Sequence, residues 1–288
     1  MFAFELQFLQ WLESIRTGFL TALFEGITIL GEETLIILLV VALWFAVDSK
    51  LAQKVFYTTI CSTGLNGVVK NIAQVPRPFE KGITPVRLET ATGFSFPSGH
   101  TQNFATTSTF FAIKLKKKWF TILVSVLIAL VALSRLYLGV HYPSDVIVGV
   151  AFGVGIAFLG TYLFDNAKDT KKLYVATLLV FVPFIVYFMI VANERFADFF
   201  KVFGMMGGLT LIGFLDEKVE PLSYDIPWWK KLIRIVIGVV IALALKEGLK
   251  VLKMGGLHIE LLVDALRYFA VVLSVGVVCP LLFKKIKL

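Results

Sequence analysis

The sequence has few charged residues for its length. Only 17% of its 288 residues are Asp, Glu, Lys or Arg, whereas soluble domains usually carry about a quarter. Hydrophobic residues make up 58% of the chain and its mean hydropathy is +0.84. Because the apolar residues arrive in long runs, the composition excludes an ordinary soluble domain and favours a multi-span membrane protein.

Cysteine is scarce as well. Cys61 and Cys279 are the only two, and both lie inside apolar runs. A disulfide framework or a cysteine metal site needs more sulfur, so we expect two small buried hydrophobic residues. The net charge of +8 does not indicate a nucleic-acid partner, because the basic residues cluster between the hydrophobic runs, where membrane topology explains them.

Ten apolar runs predict an all-α, polytopic membrane bundle. They cover residues 18–30, 34–47, 51–73, 101–113, 119–133, 146–164, 173–191, 196–215, 232–249 and 261–283. The third run contains Thr58, Ser62 and Asn66, so we expect it to face other helices and not lipid.

The chain is predicted to have three parts. Residues 1–17 mix acids and amides with Phe, Leu and Trp, which indicates an interfacial amphipathic helix. Residues 18–165 hold the first six runs and end at the polar break 165–169. Residues 166–288 carry about four additional transmembrane helices. No internal repeat of broken helices is present, which argues against a transporter.

The basic residues between runs predict the orientation, because loops rich in Lys and Arg stay in the cytoplasm. The richer side carries Arg16, Lys50, Lys54, Lys114, Lys116, Lys117, Lys118, Lys168, Lys171, Lys172, Lys218, Lys230, Lys231, Arg234, Lys284, Lys285 and Lys287. This distribution predicts that both termini are cytoplasmic and that the long loop 74–97 faces the extracytoplasmic side.

Three segments on that outward side concentrate polar residues. They are residues 70–78, 97–100 and 134–145, and each adjoins the outer end of a predicted helix. If the six helices form one bundle, the three segments converge. Lys70, Arg77 and Arg135 would then supply three cations for one phosphate, with Arg adding planar paired donors.

A helix is predicted to start at the second segment, where Ser98 and the amide of Gly99 are placed to hold an anion. His141 and Asp145 are four residues apart, so a helical turn brings the carboxylate against the imidazole. That pairing fixes the tautomer and makes the other ring nitrogen a better nucleophile. The chemistry implied is attack on phosphorus by His141, with His100 protonating the leaving oxygen and later activating water.

The spacing Lys-x6-Arg-Pro, then Pro-Ser-Gly-His, then Ser-Arg-x5-His-x3-Asp resembles the type 2 phosphatidic acid phosphatase (PAP2) superfamily. The matching residues are Lys70, Arg77, Pro78, Pro97, Ser98, Gly99, His100, Ser134, Arg135, His141 and Asp145. The resemblance covers about residues 32–164. It implies a six-helix core and hydrolysis of a lipid phosphomonoester or pyrophosphate through a phosphohistidine, without metal or other cofactor. The longer architecture is loosely similar to the sphingosine-1-phosphate phosphatase branch.

Two alternatives to a hydrolase stay open at this point. The same scaffold would serve a phosphotransferase that uses an acceptor other than water. It would also serve an inactive protein that binds or transports a lipid phosphate. The expected ligand is a lipid phosphate of the phosphatidic acid, phosphatidylglycerol phosphate, undecaprenyl pyrophosphate or sphingoid phosphate type. Membrane lipids are expected to surround the protein. A second copy of the chain, in a homodimer, is a further candidate partner.

Two further features of the outward side have more than one interpretation. Glu32 and Glu33 precede a predicted helix, where acids stabilise the N-terminus, and a contact to a motif cation is the second interpretation. Lys81 and Arg87 lie in the loop 74–97. They either meet anionic headgroups or substrate, or are simply solvated.

Overall fold

The computed structural model describes residues 3–216, 219 and 221–288, so Lys218 lies outside the described residues. The described chain is helical and contains no strand, which confirms the all-α prediction. Its α-helices are α1 (Ala3–Ser14), α2 (Gly18–Thr28), α3 (Glu33–Ala46), α4 (Ser49–Ala73), α5 (Gly99–Leu115), α6 (Lys118–Tyr137), α7 (Pro143–Asn166), α8 (Thr170–Val191), α9 (Ala197–Leu215), α10 (Trp228–Gly248), α11 (Leu257–Leu273) and α12 (Cys279–Lys285).

Within the described residues, five helical stretches are long and apolar enough to cross a membrane. They are α6, α7, α8, the stretch Glu194–Leu215 that ends in α9, and the stretch Leu257–Lys285 that joins α11 to α12. A sixth is obtained if Gly18–Gly31 and Glu33–Ala46, which are bent by 46° at their junction, count as one span.

Three of the other predicted spans are helices that carry polar residues or are short. The 25 residues of α4 are long enough for a bilayer but include Thr59, Ser62 and Asn66. The 17 residues of α5 include His100 and Gln102, and charged residues stand at both ends of α10. These sequences are expected of helices that face protein on one side, because lipid cannot satisfy polar groups.

The prediction of a separate first span at residues 18–30 is wrong. With 11 residues, α2 is about 17 Å long, whereas the hydrocarbon core is about 30 Å thick. Both ends of α2 also contact the same end of α6: Thr17 N lies 3.1 Å from Tyr137 Oη, and Thr28 Oγ1 lies 2.8 Å from Arg135 Nη1. The segment therefore lies across one end of α6.

The position of α1 also differs from the prediction. The helix is amphipathic, but Leu9 and Leu12 pack with Leu136 and Tyr142, at the end of α6 that bears the third polar segment. Buried Glu5 accepts a hydrogen bond from Ser144 N at 2.8 Å. Because α2 does not cross, α1 lies at the same end as this segment, where the sequence predicted the opposite end.

The chain divides into two compact units. One consists of Met1–Ile36 and Cys61–Thr161, and the other of Ile37–Ile60 and Tyr162–Leu288. All three polar segments singled out in the sequence belong to the first unit. The predicted division of the chain at residues 165–166 stays a prediction.

Polar side chains join α4 to α5 inside the first unit. Asn66 Nδ2 donates to Gln102 Oε1 at 2.8 Å, Gln102 Nε2 donates to Ser62 O at 2.8 Å, and Ser62 Oγ lies 2.7 Å from Thr106 Oγ1. The expectation that this helix faces protein is therefore confirmed. On the other side of α5, a Cβ at Gly153 of α7 would come within 2.6 Å of Gln102 O, so the glycine allows α7 to approach closely.

Close helix packing also organises the second unit. A Cβ at Gly204 of α9 would lie 1.9 Å from Ala265 O of α11, so only glycine fits there. In the middle of α11, buried Asp264 pairs with Arg267 and, at 2.6 Å, with Lys253. Cys279 is buried and Cys61 partly buried.

Candidate active site

The Ser98-Gly99-His100 turn starts α5 and is bound to the third polar segment. Ser98 N donates to Asp145 O at 3.0 Å, and Ser98 Oγ lies 3.0 Å from Thr101 Oγ1. The first intrahelical bond of α5 runs from Gln102 N to Ser98 O at 3.0 Å, so the N–H groups of Gly99 and His100 precede it. Such first-turn amides at a helix N-terminus favour an anion.

The pairing of His141 with Asp145 has the predicted local geometry. Gly139 has a φ of +73°, a left-handed conformation that glycine adopts easily. The chain turns here, just after the end of α6, and α7 then begins at Pro143. His141 Nδ1 lies 3.1 Å from Asp145 Oδ2. The same carboxylate oxygen accepts from Tyr142 N at 2.8 Å and from Ser95 Oγ at 2.5 Å, so three donors hold Asp145 in place.

The other ring nitrogen of His141 faces Arg77. Arg77 Nη1 lies 3.2 Å from His141 Nε2 and donates to Val140 O at 2.9 Å. Because a guanidinium can only donate, Nε2 carries the lone pair. The proton then lies on Nδ1, directed at Asp145. This is the tautomer that a nucleophilic Nε2 requires.

Carbonyl groups of the loop 74–97 hold two of the three motif cations. Lys70 Nζ donates to Phe94 O at 2.7 Å, and Arg77 Nε donates to Gly93 O at 3.1 Å. A neighbouring carbonyl, that of Thr92, accepts from Arg77 Nη2. Carbonyl contacts orient these side chains without cancelling their charge.

The third motif cation, Arg135, is fully buried on α6. Its Nη1 donates to Thr28 Oγ1 at 2.8 Å. Among the described residues, no group accepts a hydrogen bond from its Nε or Nη2. Buried donors of this kind are costly without a partner, and a phosphate is the partner that suits a guanidinium best.

His100 lies against the turn that precedes α3. A Cβ at Gly31 would come within 2.6 Å of His100 O. The buried His100 Nε2 has no hydrogen-bond partner in the described part of the chain. Arg135, Arg77, Lys70 and Arg87 all act electrostatically on the ring, so His100 belongs to the same cluster of charges as His141.

Burial and neighbouring cations tune His141, which lies in the loop between α6 and α7. The pKa of the imidazole lies well below its usual 6.5. Removal from water is the largest cause, and the charges of Arg77, Lys70 and Arg135 lower the pKa further. Both effects disfavour the imidazolium. His141 is therefore neutral at physiological pH, as a nucleophile must be.

The structure brings together the eight residues that the sequence assigns to the site: Lys70, Arg77, Ser98, Gly99, His100, Arg135, His141 and Asp145. Sequence reasoning missed two residues that touch them, namely Thr28 on Arg135 and Ser95 on Asp145. It also missed Glu5, which accepts from Ser144 N beside Asp145. A Thr in an apolar run and a Ser in a loop gave no signal, because their partners are 107 and 50 residues away. No group of three or more His, Cys, Asp or Glu side chains suited to a metal ion occurs in the described ranges.

Comparison with known proteins agrees with this geometry. Residues 51–169, which contain the three polar segments, match the family described as the PAP2 superfamily. Residues 200–288 match the transmembrane extension of PAP2 superfamily phosphatases. A 161-residue alignment with phosphatidylglycerophosphatase B of Bacillus subtilis is 33% identical and covers 50% of this chain and 75% of that protein.

The chain belongs to the PAP2 superfamily. A crystal structure described as the first transmembrane PAP2-type phosphatidylglycerolphosphate phosphatase, from Bacillus subtilis, superposes with a TM-score of 0.50 and 28% identity. It covers 57% of this chain and 86% of that chain. With the matched extension, this places the protein among multi-span integral membrane PAP2 proteins.

Other PAP2 relatives bear different substrate names. Decaprenylphosphoryl-5-phosphoribose phosphatase of Mycobacterium tuberculosis is 40% identical over 105 residues, which cover 36% of this chain and 56% of that protein. Undecaprenyl-diphosphatase of Sulfolobus acidocaldarius is 34% identical over 110 residues, with 38% and 52% covered. The chain thus spans little more than half the length of several curated relatives that it matches.

Proposed function

We propose that this protein is a membrane lipid phosphatase that hydrolyses a phosphomonoester or diphosphate lipid through a phosphohistidine, without a metal ion. One observation carries the proposal. His141 presents an Nε2 lone pair beside Arg77 while Nδ1–H is held by Asp145, and the pair lies within electrostatic reach of two further cations and His100. A site that only binds phosphate would not need a neutral imidazole held in this orientation.

The reaction follows from these positions. His141 Nε2 attacks phosphorus in line, the bond from phosphorus to the ester oxygen breaks, and His100 gives its proton to that oxygen. Water then attacks the phosphohistidine, His100 takes a proton from the water, and inorganic phosphate is released. Lys70, Arg77 and Arg135 stabilise the charge on the equatorial oxygens, with the Ser98 hydroxyl and the Gly99 amide as further donors.

Arg77 has to change partners during this cycle. Its Nη1 contacts the Nε2 lone pair, which is where phosphorus must arrive. Substrate oxygens therefore replace His141 as the acceptor of Arg77, while the carbonyls of Val140 and Gly93 keep the guanidinium near its position. The exchange exposes the nucleophile only when a phosphate is bound.

The site is proposed to face the extracytoplasmic side. The clusters Lys114–Lys118 and Lys168–Lys172 lie at the ends of α5 to α8 remote from the site, and the positive-inside rule assigns them to the cytoplasm. Since α1 and α2 do not cross, we propose that the N-terminus lies on the same side as the site and the C-terminus in the cytoplasm. Of the basic residues that the sequence assigned to the cytoplasmic side, only Arg16 moves to the outer side. The cytoplasmic side therefore still carries most of the Lys and Arg residues.

The proposal is tested by phosphate release from lipid substrates with purified protein in detergent containing EDTA. The panel comprises phosphatidic acid, phosphatidylglycerol phosphate, undecaprenyl diphosphate and a sphingoid phosphate. The unaltered protein should turn over at least one, and His141→Ala should abolish release. Exposed His258→Ala is the matched control and should keep full activity.

Two results would reject the proposal. Full activity in His141→Ala would exclude the phosphohistidine route. Tight lipid-phosphate binding without any phosphate release by the unaltered protein would instead indicate a binding protein. A trapped phosphohistidine, stable in alkali and labile in acid, would support the intermediate directly.

A further inference from the structure

A fourth cation, Arg87, lies next to the site but outside the three motifs. Its guanidinium pairs with Glu32, with Nη2 2.7 Å from Oε1. Its Nη1 donates to Glu25 O at 3.2 Å. About a fifth of each charged side chain is exposed, so the pair is shielded from water but within reach of a ligand.

Arg87 is directed at this position by an unusual backbone. Its φ of 58° and ψ of 53° are left-handed, a conformation that residues other than glycine seldom adopt. Such conformations concentrate at ligand sites, where the surrounding structure holds them.

The Arg87–Glu32 pair lies on the His100 side of the site. Glu32 follows Gly31, which abuts the His100 backbone. The charge of Arg87 acts on both His100 and Arg135. The groups that act most strongly on His141 are Arg77, Lys70, Arg135 and His100, and Arg87 is not among them.

In the proposed reaction, the nucleophile approaches from one side of phosphorus and the leaving group departs from the other. His141 marks the first side and His100 the second. A cation beside His100 therefore meets whatever the leaving oxygen is attached to. A neutral alcohol offers this cation no opposite charge, whereas a second phosphate offers it an anion.

We propose that Arg87 binds the second phosphate of a lipid diphosphate, which makes diphosphate lipids the preferred substrate class. This inference rests on the proposed function. The Nε2–P bond of His141 forms at the terminal phosphorus as the bond to the bridging oxygen breaks. The former bridging oxygen takes a proton from His100, and the lipid monophosphate leaves with its own phosphate charge facing Arg87. Water then splits the P–N bond to release inorganic phosphate.

Glu32 holds Arg87 ready in this scheme. Glu89, whose Oε1 lies 3.4 Å from Arg87 Nε, is a second and more exposed carboxylate partner. Both carboxylates are movable, so an incoming phosphate with more charge displaces them. Glu32 also limits the excess positive charge around Arg135. The pair thus favours substrates that bring a second anionic group close to the scissile bond over those that bring one phosphate.

The experiment compares two substrates with one tail, farnesyl diphosphate and farnesyl monophosphate, using purified full-length protein. Arg87→Gln should lower kcat/KM for the diphosphate about tenfold, the usual size of one lost charge-assisted contact. It should change the monophosphate value less than about twofold. Arg87→Lys should recover part of the diphosphate rate, and Lys81→Gln, an exposed cation of the same loop, should change neither substrate.

Glu32→Gln tests whether the Arg87–Glu32 ion pair serves substrate specificity or only stabilises the fold. If Arg87 serves the diphosphate, releasing it from Glu32 leaves diphosphate turnover intact. Equal losses on both substrates in Arg87→Gln, or a joint loss of activity and melting temperature in Glu32→Gln, would overturn the inference. A selective effect on phosphatidylglycerol phosphate, whose second phosphate is more distant, would also overturn it.

These outcomes leave the proposed function separately testable. His141→Ala is measured with both farnesyl substrates in the same series. Loss of both activities in that variant, with equal losses in Arg87→Gln, would reject the diphosphate preference alone.

Discussion

His141 Nδ1 lies 3.1 Å from Asp145 Oδ2, and both residues are almost completely buried. The contact spans one helical turn at the junction of the 138–142 loop with α7. It leaves Nε2 as the acceptor that faces Arg77. The orientation of the nucleophile therefore depends on one carboxylate, which is itself held by Ser95 and Tyr142.

Asp145→Asn tests that dependence. An amide can present its NH2 group to Nδ1 and reverse the tautomer, which places the proton on Nε2. We expect kcat to fall about 100-fold or more, with KM changed little, because substrate binding uses the cations. Initial rates of phosphate release over a range of substrate concentrations separate the two constants.

The matched control for Asp145→Asn is Asp198→Asn, which removes a half-exposed carboxylate paired with Lys201. It should keep the unaltered kcat. A rise in KM with normal kcat in Asp145→Asn would contradict the orienting role.

The pH dependence should show the low pKa of His141. Burial and the three motif cations lower that pKa, so the reactive neutral imidazole is fully present above the lowered value and is lost as the pH falls through it. The acid limb of kcat/KM should therefore lie below pH 6.5. Replacing the nearest cation, in Arg77→Gln, should move the limb upward toward that value.

Profiles of kcat/KM against pH, recorded for the residual activity of the variant too, measure this shift. An acid limb above pH 6.5 in the unaltered protein would show that His141 does not titrate as its surroundings imply. Exposed Lys81→Gln serves as the comparison and should leave the profile in place.

Thr28 is expected to position Arg135 for the phosphate. Its hydroxyl accepts from Arg135 Nη1 at 2.8 Å in a buried setting, and hydrogen bonds to charged groups are among the stronger ones. Thr28→Val keeps the shape but removes the acceptor, so kcat/KM should fall about tenfold. Thr28→Ser, which keeps the hydroxyl, should retain most of the activity.

Melting temperatures of the two Thr28 variants provide the control for folding. If Thr28→Val keeps the kcat/KM of the unaltered protein, the hydroxyl is not what holds Arg135 in position. The positioning role would then be wrong.

The sequence predicted the motif residues well because their order encodes local geometry. Asp145 follows His141 by four positions, and a helical turn brings them together whatever the rest of the bundle does. Contacts from distant segments left no such trace. Thr28 and Ser95 reach their partners only through tertiary packing, which no spacing within their own segments reveals.

Hydropathy explains why residues 18–30 were predicted to be a separate span. The run 18–30 is mostly apolar, with Glu25 as its one charged residue. Hydropathy reports what surrounds a helix and not the direction in which the helix runs. A short apolar helix that packs on Tyr137 and contacts Arg135 gives the same hydropathy signal as a transmembrane span. The polar contacts at both of its ends, made by Thr17 and Thr28, distinguish the two only once α6 is in place.

The location of the N-terminus is the prediction that follows from this path. Trp11 is more than half exposed on α1, and Leu88 is equally exposed in the loop 74–97. Both should lie on the extracytoplasmic side, whereas exposed Lys117, between α5 and α6, should lie in the cytoplasm. The measurement is labelling of single-cysteine variants by a membrane-impermeant maleimide, after replacing Cys61 and Cys279 with Ala.

Trp11→Cys and Leu88→Cys should react in intact cells, and Lys117→Cys only after the membrane is permeabilised. Labelling of Trp11→Cys together with Lys117→Cys would mean that α2 crosses the bilayer after all. It would also break the contacts of α1 with Ser144 and of α2 with Arg135, because a crossing helix cannot touch the same end of α6 at both of its own ends. The accessibility of one residue on α1 therefore decides whether the N-terminal helices help to build the phosphate site.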